Sequence, residues 1–81
     1  YYYSVLIDDT RINTDLCPGD ILNKPAAHVV TIYYFSGDKN QNVNQVIEAS
    51  PSKDKVRIKT TVNIQNEYLS AGYKARRLIA H

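Results

Sequence analysis

One imidazole and one carboxylate in this chain sit where two strands would bring them face to face. His28 stands where a loop delivers the chain into the apolar run 29–35, and Glu48 stands in the run 43–49 beyond a turn-rich stretch at 36–40. In an antiparallel hairpin, opposed residues have numbers of constant total. A turn centred on Asp38 makes that total 76, which His28 and Glu48 satisfy. Directly opposed side chains share a face with Cβ atoms about 4.5–5.5 Å apart. A looser loop moves the total to 78 or 80 and leaves the pair diagonal, roughly 7–8 Å apart and still within a glutamate's reach. A histidine acting as general base needs its second ring nitrogen held by a partner, and Glu48 has the chemistry for it. The same two residues equally describe a solvated cross-strand pair with no catalytic duty.

The remaining reactive types are sparse. Cys17 precedes Pro18, which restricts it to extended backbone, and the turn behind it offers no helix N-terminus to lower a thiol pKa. It reads as a small buried apolar residue rather than a nucleophile. Asp20 follows Pro18-Gly19 and is expected to secure that turn through local backbone hydrogen bonds. Arg76-Arg77 reads as a solvated pair, one member of which meets an acid on a neighbouring strand. Tyr33 and Tyr34, like most of the seven tyrosines, are expected to be packing groups with a polar tip rather than substrate contacts.

Positioning these residues falls to strands. Period-2 patterning and turn residues run through the chain without an internal repeat. Strands are predicted at 1–7, 20–22, 27–35, 43–49, 55–59 and 73–80. Both parities of 27–35 are apolar, which predicts a central strand covered on two sides. In 55–59 the alternation places Val56 and Ile58 inward and Lys55, Arg57 and Lys59 outward. The stretch 61–71 mixes helical spacing at Val62, Gln65, Asn66 and Leu69 with Gly72 and threonines, so it predicts a short helix or an irregular bridge. The expected whole is an antiparallel sheet or partial barrel of five or six strands with little helix.

Totals narrow the functions. With 81 residues, 43% of them hydrophobic, the chain is a single domain or part of one. A net charge of +2 does not by itself imply nucleic acid. One cysteine and two histidines supply neither an internal disulfide nor a metal-ligand set, so no metal or cofactor is expected. No apolar run approaches the roughly 20 residues of a membrane span. The chain contains no methionine, so it reads as a piece of a longer product.

Leu16-Cys17-Pro18-Gly19-Asp20-Ile21-Leu22, then His28-Val29-Val30-Thr31-Ile32-Tyr33, then Val46-Ile47-Glu48-Ala49 and Ala75-Arg76-Arg77-Leu78, resembles the C-terminal half of the NlpC-type cell-wall peptidases. These are papain-like cysteine hydrolases. The resemblance runs from about Leu16 to the end and implies an α+β, papain-like fold of which this chain is mostly the sheet. It implies a Cys-His-polar triad that hydrolyses amide bonds in peptidoglycan stem peptides, in a secreted or cell-envelope setting. His28 matches the family's catalytic histidine. Glu48 falls where the family places its third polar residue, commonly a histidine. The family's cysteine opens a helix upstream of the Pro-Gly-Asp turn, and no such cysteine is present. The nucleophile would come from a missing N-terminal segment or a partner chain, and this chain alone would be inactive.

Two other readings stay open. A papain-like acyltransferase or thioesterase of the permuted kind resembles the same Pro-Gly-Asp and histidine arrangement, with its cysteine after the sheet. A small barrel could instead bind single-stranded nucleic acid along Lys53, Lys55, Arg57 and Lys59, although Asp8, Asp9, Asp15, Asp20 and Asp54 dilute that field.

Overall fold

The structure is a computed structural model that describes residues 2–27, 29–50 and 55–80. The expected positions of His28, Lys53 and Asp54 lie outside the described residues. Six strands form one sheet: β1 (Tyr2–Leu6), β2 (Ile21–Asn23), β3 (Val30–Tyr34), β4 (Asn44–Ser50), β5 (Lys55–Val62) and β6 (Lys74–Ala80), in the order β1-β6-β2-β3-β4-β5. Every pairing is antiparallel. Among the described residues helix is confined to α1 (Ile12–Asp15), α2 (Ile64–Glu67) and 3-10 turns at Asp9–Arg11 and Leu69–Ala71. The six-stranded, helix-poor architecture is the one the alternation predicts. β6, the last strand, is inserted between β1 and β2, so β1 is attached to the sheet through β6.

The core lies on one side of the sheet. Leu22, Val30, Ile32, Val46 and Ala75 point to that side and are fully or almost fully buried. Ile12, Leu16, Ile64 and Tyr68, from the helical segments, close over them. The ambiguous stretch 61–71 resolves into α2 and the second 3-10 turn because its ends are fastened. The Asn63 side chain accepts from the Asn66 N–H at 3.0 Å, while the Glu67 carboxylate accepts from the Asn63 N–H at 2.8 Å. This reciprocal arrangement satisfies donors that a helix start leaves open.

Two expectations about faces are corrected. Val56 is 72% and Ile58 50% exposed, not inward. The reason is a bulge in β5. Asn44 pairs with Val62 and Val46 with Lys59, so Thr60 and Thr61 together oppose the single residue Gln45. An extra residue inverts the parity beyond it. Val62 therefore reaches the core while the even-numbered residues before the bulge face away, and Arg57 and Lys59 take the core side. β3 is interior to the sheet but covered on one face only. Val30 and Ile32 are buried, whereas Val29, Tyr33 and Tyr34 are exposed, with a second irregularity between Ile32 and Tyr34.

Thr61 adopts φ +56 at the β5 bulge. This left-handed backbone is costly for a β-branched residue. Thr61→Gly is expected to raise stability by about 1 kcal/mol, read as an increased denaturation midpoint at unchanged slope. Ile58→Thr should change stability by no more than about 0.5 kcal/mol, whereas Ile32→Ala should cost about 2–5 kcal/mol. Equal losses in these two variants would contradict a one-sided core.

Candidate functional site

The β3–β4 hairpin decides where Glu48 points. Val30 opposes Glu48, Thr31 opposes Ile47 and Ile32 opposes Val46. The total is thus 78, one step looser than the turn centred on Asp38 predicts, so the residue directly opposite Glu48 is Val30. The shift comes from the loop 36–43, which is drawn toward the helical layer instead of folding back symmetrically about Asp38. Asn44, fully buried, accepts from the Ser36 N–H at 2.8 Å and donates to the carbonyls of Asp38 and Gln41, both at 3.0 Å. From the helical side, the Asn13 side chain accepts the Lys39 N–H at 2.9 Å and the Asn63 side chain donates to the Asn40 carbonyl at 2.7 Å.

Glu48 emerges on the core face with 8% exposure. Arg57, directly opposite on β5, donates from Nη2 to Oε1 at 3.2 Å. The Tyr68 hydroxyl approaches Oε2 at 3.5 Å. Lys59 Nζ lies 3.5 Å from the same hydroxyl, 3.4 Å from Glu67 Oε1 and 5.5 Å from the centre of the Tyr68 ring. Tyr73 meets that ring edge-on at 5.2 Å between centroids. Charges therefore alternate from Arg57 through Glu48 and Tyr68 to Lys59 and Glu67, on the face that the outward reading of the basic residues had excluded. The sequence signal for Arg57 was available: it opposes Glu48 once the β4–β5 register is known. Tyr68, taken as packing, is both a packing group and a donor.

The Pro-Gly-Asp turn forms a separate polar cluster. Gly19 has φ +97 at the position where a Pro-Gly turn requires it, and the Asp20 N–H donates to the Cys17 carbonyl at 3.1 Å. Asp20, 4% exposed, accepts the Cys17 N–H at 2.8 Å and both arms of Arg77 at 2.9 Å each. Arg77 also donates to the Asp15 carbonyl at 2.6 Å. Asp20 thus secures the turn, and Arg77 is the arginine that meets an acid. Hydrogen bonding to Asp20 first, and then its negative charge, hold the Arg77 guanidinium above its ordinary range. Cys17 is exposed rather than buried, with Sγ 3.5 Å from the Asp15 carbonyl. It sits on the turn that opens β2, and β3 lies between β2 and β4 in the sheet.

No protein-family model matches the chain, and neither the curated proteins nor the solved structures compared with it give a match. Among the described residues no group of three or more His, Cys, Asp or Glu is placed to hold a metal ion, and no helix is long and apolar enough to cross a membrane.

The Tyr68 phenol is pushed above its ordinary value of 10.0, first by burial, with Lys59 opposing and the Glu48 and Glu67 charges adding to the rise. Because the folded phenol holds its proton more tightly than the unfolded one, its contribution to stability is complete below the ordinary tyrosine range and is lost as pH rises through the folded value. Stability of the native chain should therefore fall on the alkaline side of that range. Tyr68→Phe should flatten the fall, and removal of the cation in Lys59→Met should move the Tyr68 ionisation, followed by ultraviolet absorbance, to still higher pH.

Proposed function

We propose that this chain is the sheet portion of a papain-like cysteine hydrolase of the NlpC type, which cleaves amide bonds in peptidoglycan stem peptides. Glu48 orients the His28 imidazole, and a segment outside these residues supplies the thiol. The observation that carries the reading is the Glu48 carboxylate, held on the core face of β4 opposite Val30 by partners that limit its rotation. In the sequence residue 28 precedes Val30 by two, the spacing at which residues of a strand share a face. A carboxylate restrained in that way is what a general-base histidine needs for a fixed tautomer.

In the proposed cycle the thiolate attacks the amide carbon, and backbone N–H groups hold the oxyanion. The C–N bond breaks as the His28 imidazolium gives its proton to the leaving amine. Water, deprotonated by the same imidazole, then hydrolyses the thioester and frees the thiol. Cys17 is given no part in this cycle; it stands on the turn before β2, outside β3 and β4.

The test uses the complete product carrying this chain, assayed on peptidoglycan stem peptides, with intact-mass detection of the acyl-enzyme. His28→Ala should lower turnover by roughly a thousandfold or more and leave the folded spectrum unchanged. Glu48→Gln should lower kcat by roughly a hundredfold with KM little changed. Undiminished turnover in His28→Ala would overturn the assignment, and transfer of the acyl group to an added alcohol in preference to water would favour the acyltransferase alternative.

A further inference from the structure

The helical layer closes one side of the sheet, and the other side is apolar and open. A single row of side chains crosses all six strands there. Leu6 opposes Arg76, Arg76 opposes Ile21, Ile21 opposes Thr31, Thr31 opposes Ile47 and Ile47 opposes Ile58. The row alternates with the buried Leu22, Val30, Val46 and Ala75 of the same strands, so it lies on the face away from the core. Leu78 flanks it on one side, Val29 and Val56 on the other. Together with Leu6 and Ile58 these three are between 43% and 72% exposed. Single exposed apolar residues are ordinary, but a face of them that runs the width of a sheet marks an interaction surface.

Charge at the described strand positions of this face is confined to β6. Lys74 pairs with Asp9 at 3.3 Å, beyond the end of β1. Arg76 donates from Nη1 to the Ser4 hydroxyl at 3.3 Å, which draws its head toward the edge strand. The centre, at Ile21, Thr31 and Ile47, is left uncharged. An apolar centre with its charge displaced to the rim is the composition of a lasting interface between like subunits, where contacts between unlike, exchanging partners are as polar as ordinary surface. Size agrees with this. The protein measures 33 × 33 × 20 Å. Six strands about 4.8 Å apart spread over the two long dimensions, which leaves room for the roughly 800 Å² per partner that a stable dimer buries.

We propose that this face packs on the same face of a second copy, giving a two-fold sandwich of two sheets with the helical layers outside. An axis parallel to the strands, passing between β2 and β3, lays β2 over β3, β6 over β4 and β1 over β5, at the roughly 10 Å separation of packed sheets. Leu6 of one protomer then meets Ile58 of its partner, and each Arg76 lies over β4. An axis across the strands would instead stack every strand on itself and bring the two Arg76 side chains together, which like charge opposes. The thiol-bearing segment called on by the proposed function has a different place. It must reach Glu48, which points to the core side opposite Val30, so it closes on the sheet from the side away from this face. The dimer does not rest on that reading.

Sedimentation equilibrium on the 81-residue chain and on the complete product that carries it should give twice the monomer mass in both. Ile58→Lys should raise the dissociation constant roughly tenfold or more. Ile58 is half exposed in the protomer, so the variant keeps its fold, which its native spectrum checks. Val5→Lys adds the same charge to the core side of β1, opposite Arg77, and should leave the constant unchanged. In a mixture of Leu6→Cys and Ile58→Cys chains, both carrying Cys17→Ser, a bismaleimide of about 10 Å span should join unlike chains in preference to like ones. Monomer at every concentration, an equal response to Ile58→Lys and Val5→Lys, or preferential joining of like chains would each overturn the proposal. A dimer of the 81 residues that gives way to a monomer in the complete product would overturn it too, and would assign the face to another segment of that product.

Discussion

The bidentate contact between Asp20 and Arg77 fixes the relation between the Pro-Gly-Asp turn and the last strand, and the arrangement of the sheet follows from it. A carboxylate buried as deeply as Asp20 has to be answered by a cation and by hydrogen bonds, since either oxygen left unpaired would cost more than the turn could return. Arg77 answers it with a planar fork that matches both oxygens. The Cys17 N–H supplies a further donor. The same guanidinium reaches the Asp15 carbonyl at the end of α1, so one side chain of β6 joins the helical layer, the turn and β2. With β2 placed, the Gly19 N–H donates to the Ile32 carbonyl at 2.8 Å and the Ile32 N–H donates to the Asp20 carbonyl at 2.8 Å, extending the β2–β3 contact beyond the ladder. β3 then sets β4, and β4 sets the direction of Glu48.

Among the described residues the two buried carboxylates, Asp20 and Glu48, are met by arginines from adjoining strands, Arg77 on β6 and Arg57 on β5. In each case the arginine is far more exposed than its partner. The long side chain covers the acid with its aliphatic stem and keeps part of its charged head in water, which lowers the desolvation cost of the pair. The sheet thus carries charge on its core face at the periphery of the core, where the helical layer ends, and keeps its centre purely apolar at Leu22, Val30, Ile32 and Val46.

Strand content was legible because β-branched and aromatic residues alternate between turn residues in most of the chain. The interior position of β6 was not, since nothing local in Lys74–Ala80 says which strands flank it. The inward assignment of Val56 and Ile58 followed the parity rule correctly within 55–59 but met the bulge at Thr60–Thr61, where neither residue is the glycine that marks such a site in sequence. The hairpin register was legible to within one step. What moved its centre was a set of contacts from Asn13, Asn44 and Asn63 that lie far apart along the chain. Asp20 as a turn anchor and an arginine partnered by an acid were both readable. That Asp20 and Arg77 are each other's partners depends on β6 lying beside β2, which is a property of topology and not of spacing. The pairing of His28 lies outside the described residues.

The fate of the basic residues on β5 separates the readings of function by physical means. A strip that binds a nucleic-acid backbone must offer cations that are solvated and unneutralised, because affinity there comes from displacing counterions. Arg57 is engaged with Glu48, and Lys59 with Glu67 and the Tyr68 hydroxyl. Burial alone would lower the ammonium pKa of Lys59, yet Tyr68 and Glu67 together raise it, so this cation is held by its neighbours in the fold. Turning Arg57 and Lys59 to the core face, which the Thr60–Thr61 bulge accomplishes, exchanges a phosphate-binding stripe for a braced carboxylate. The two cations are thereby neutralised on the core face, and the carboxylate they brace has the restraint that the proposed role beside an imidazole requires.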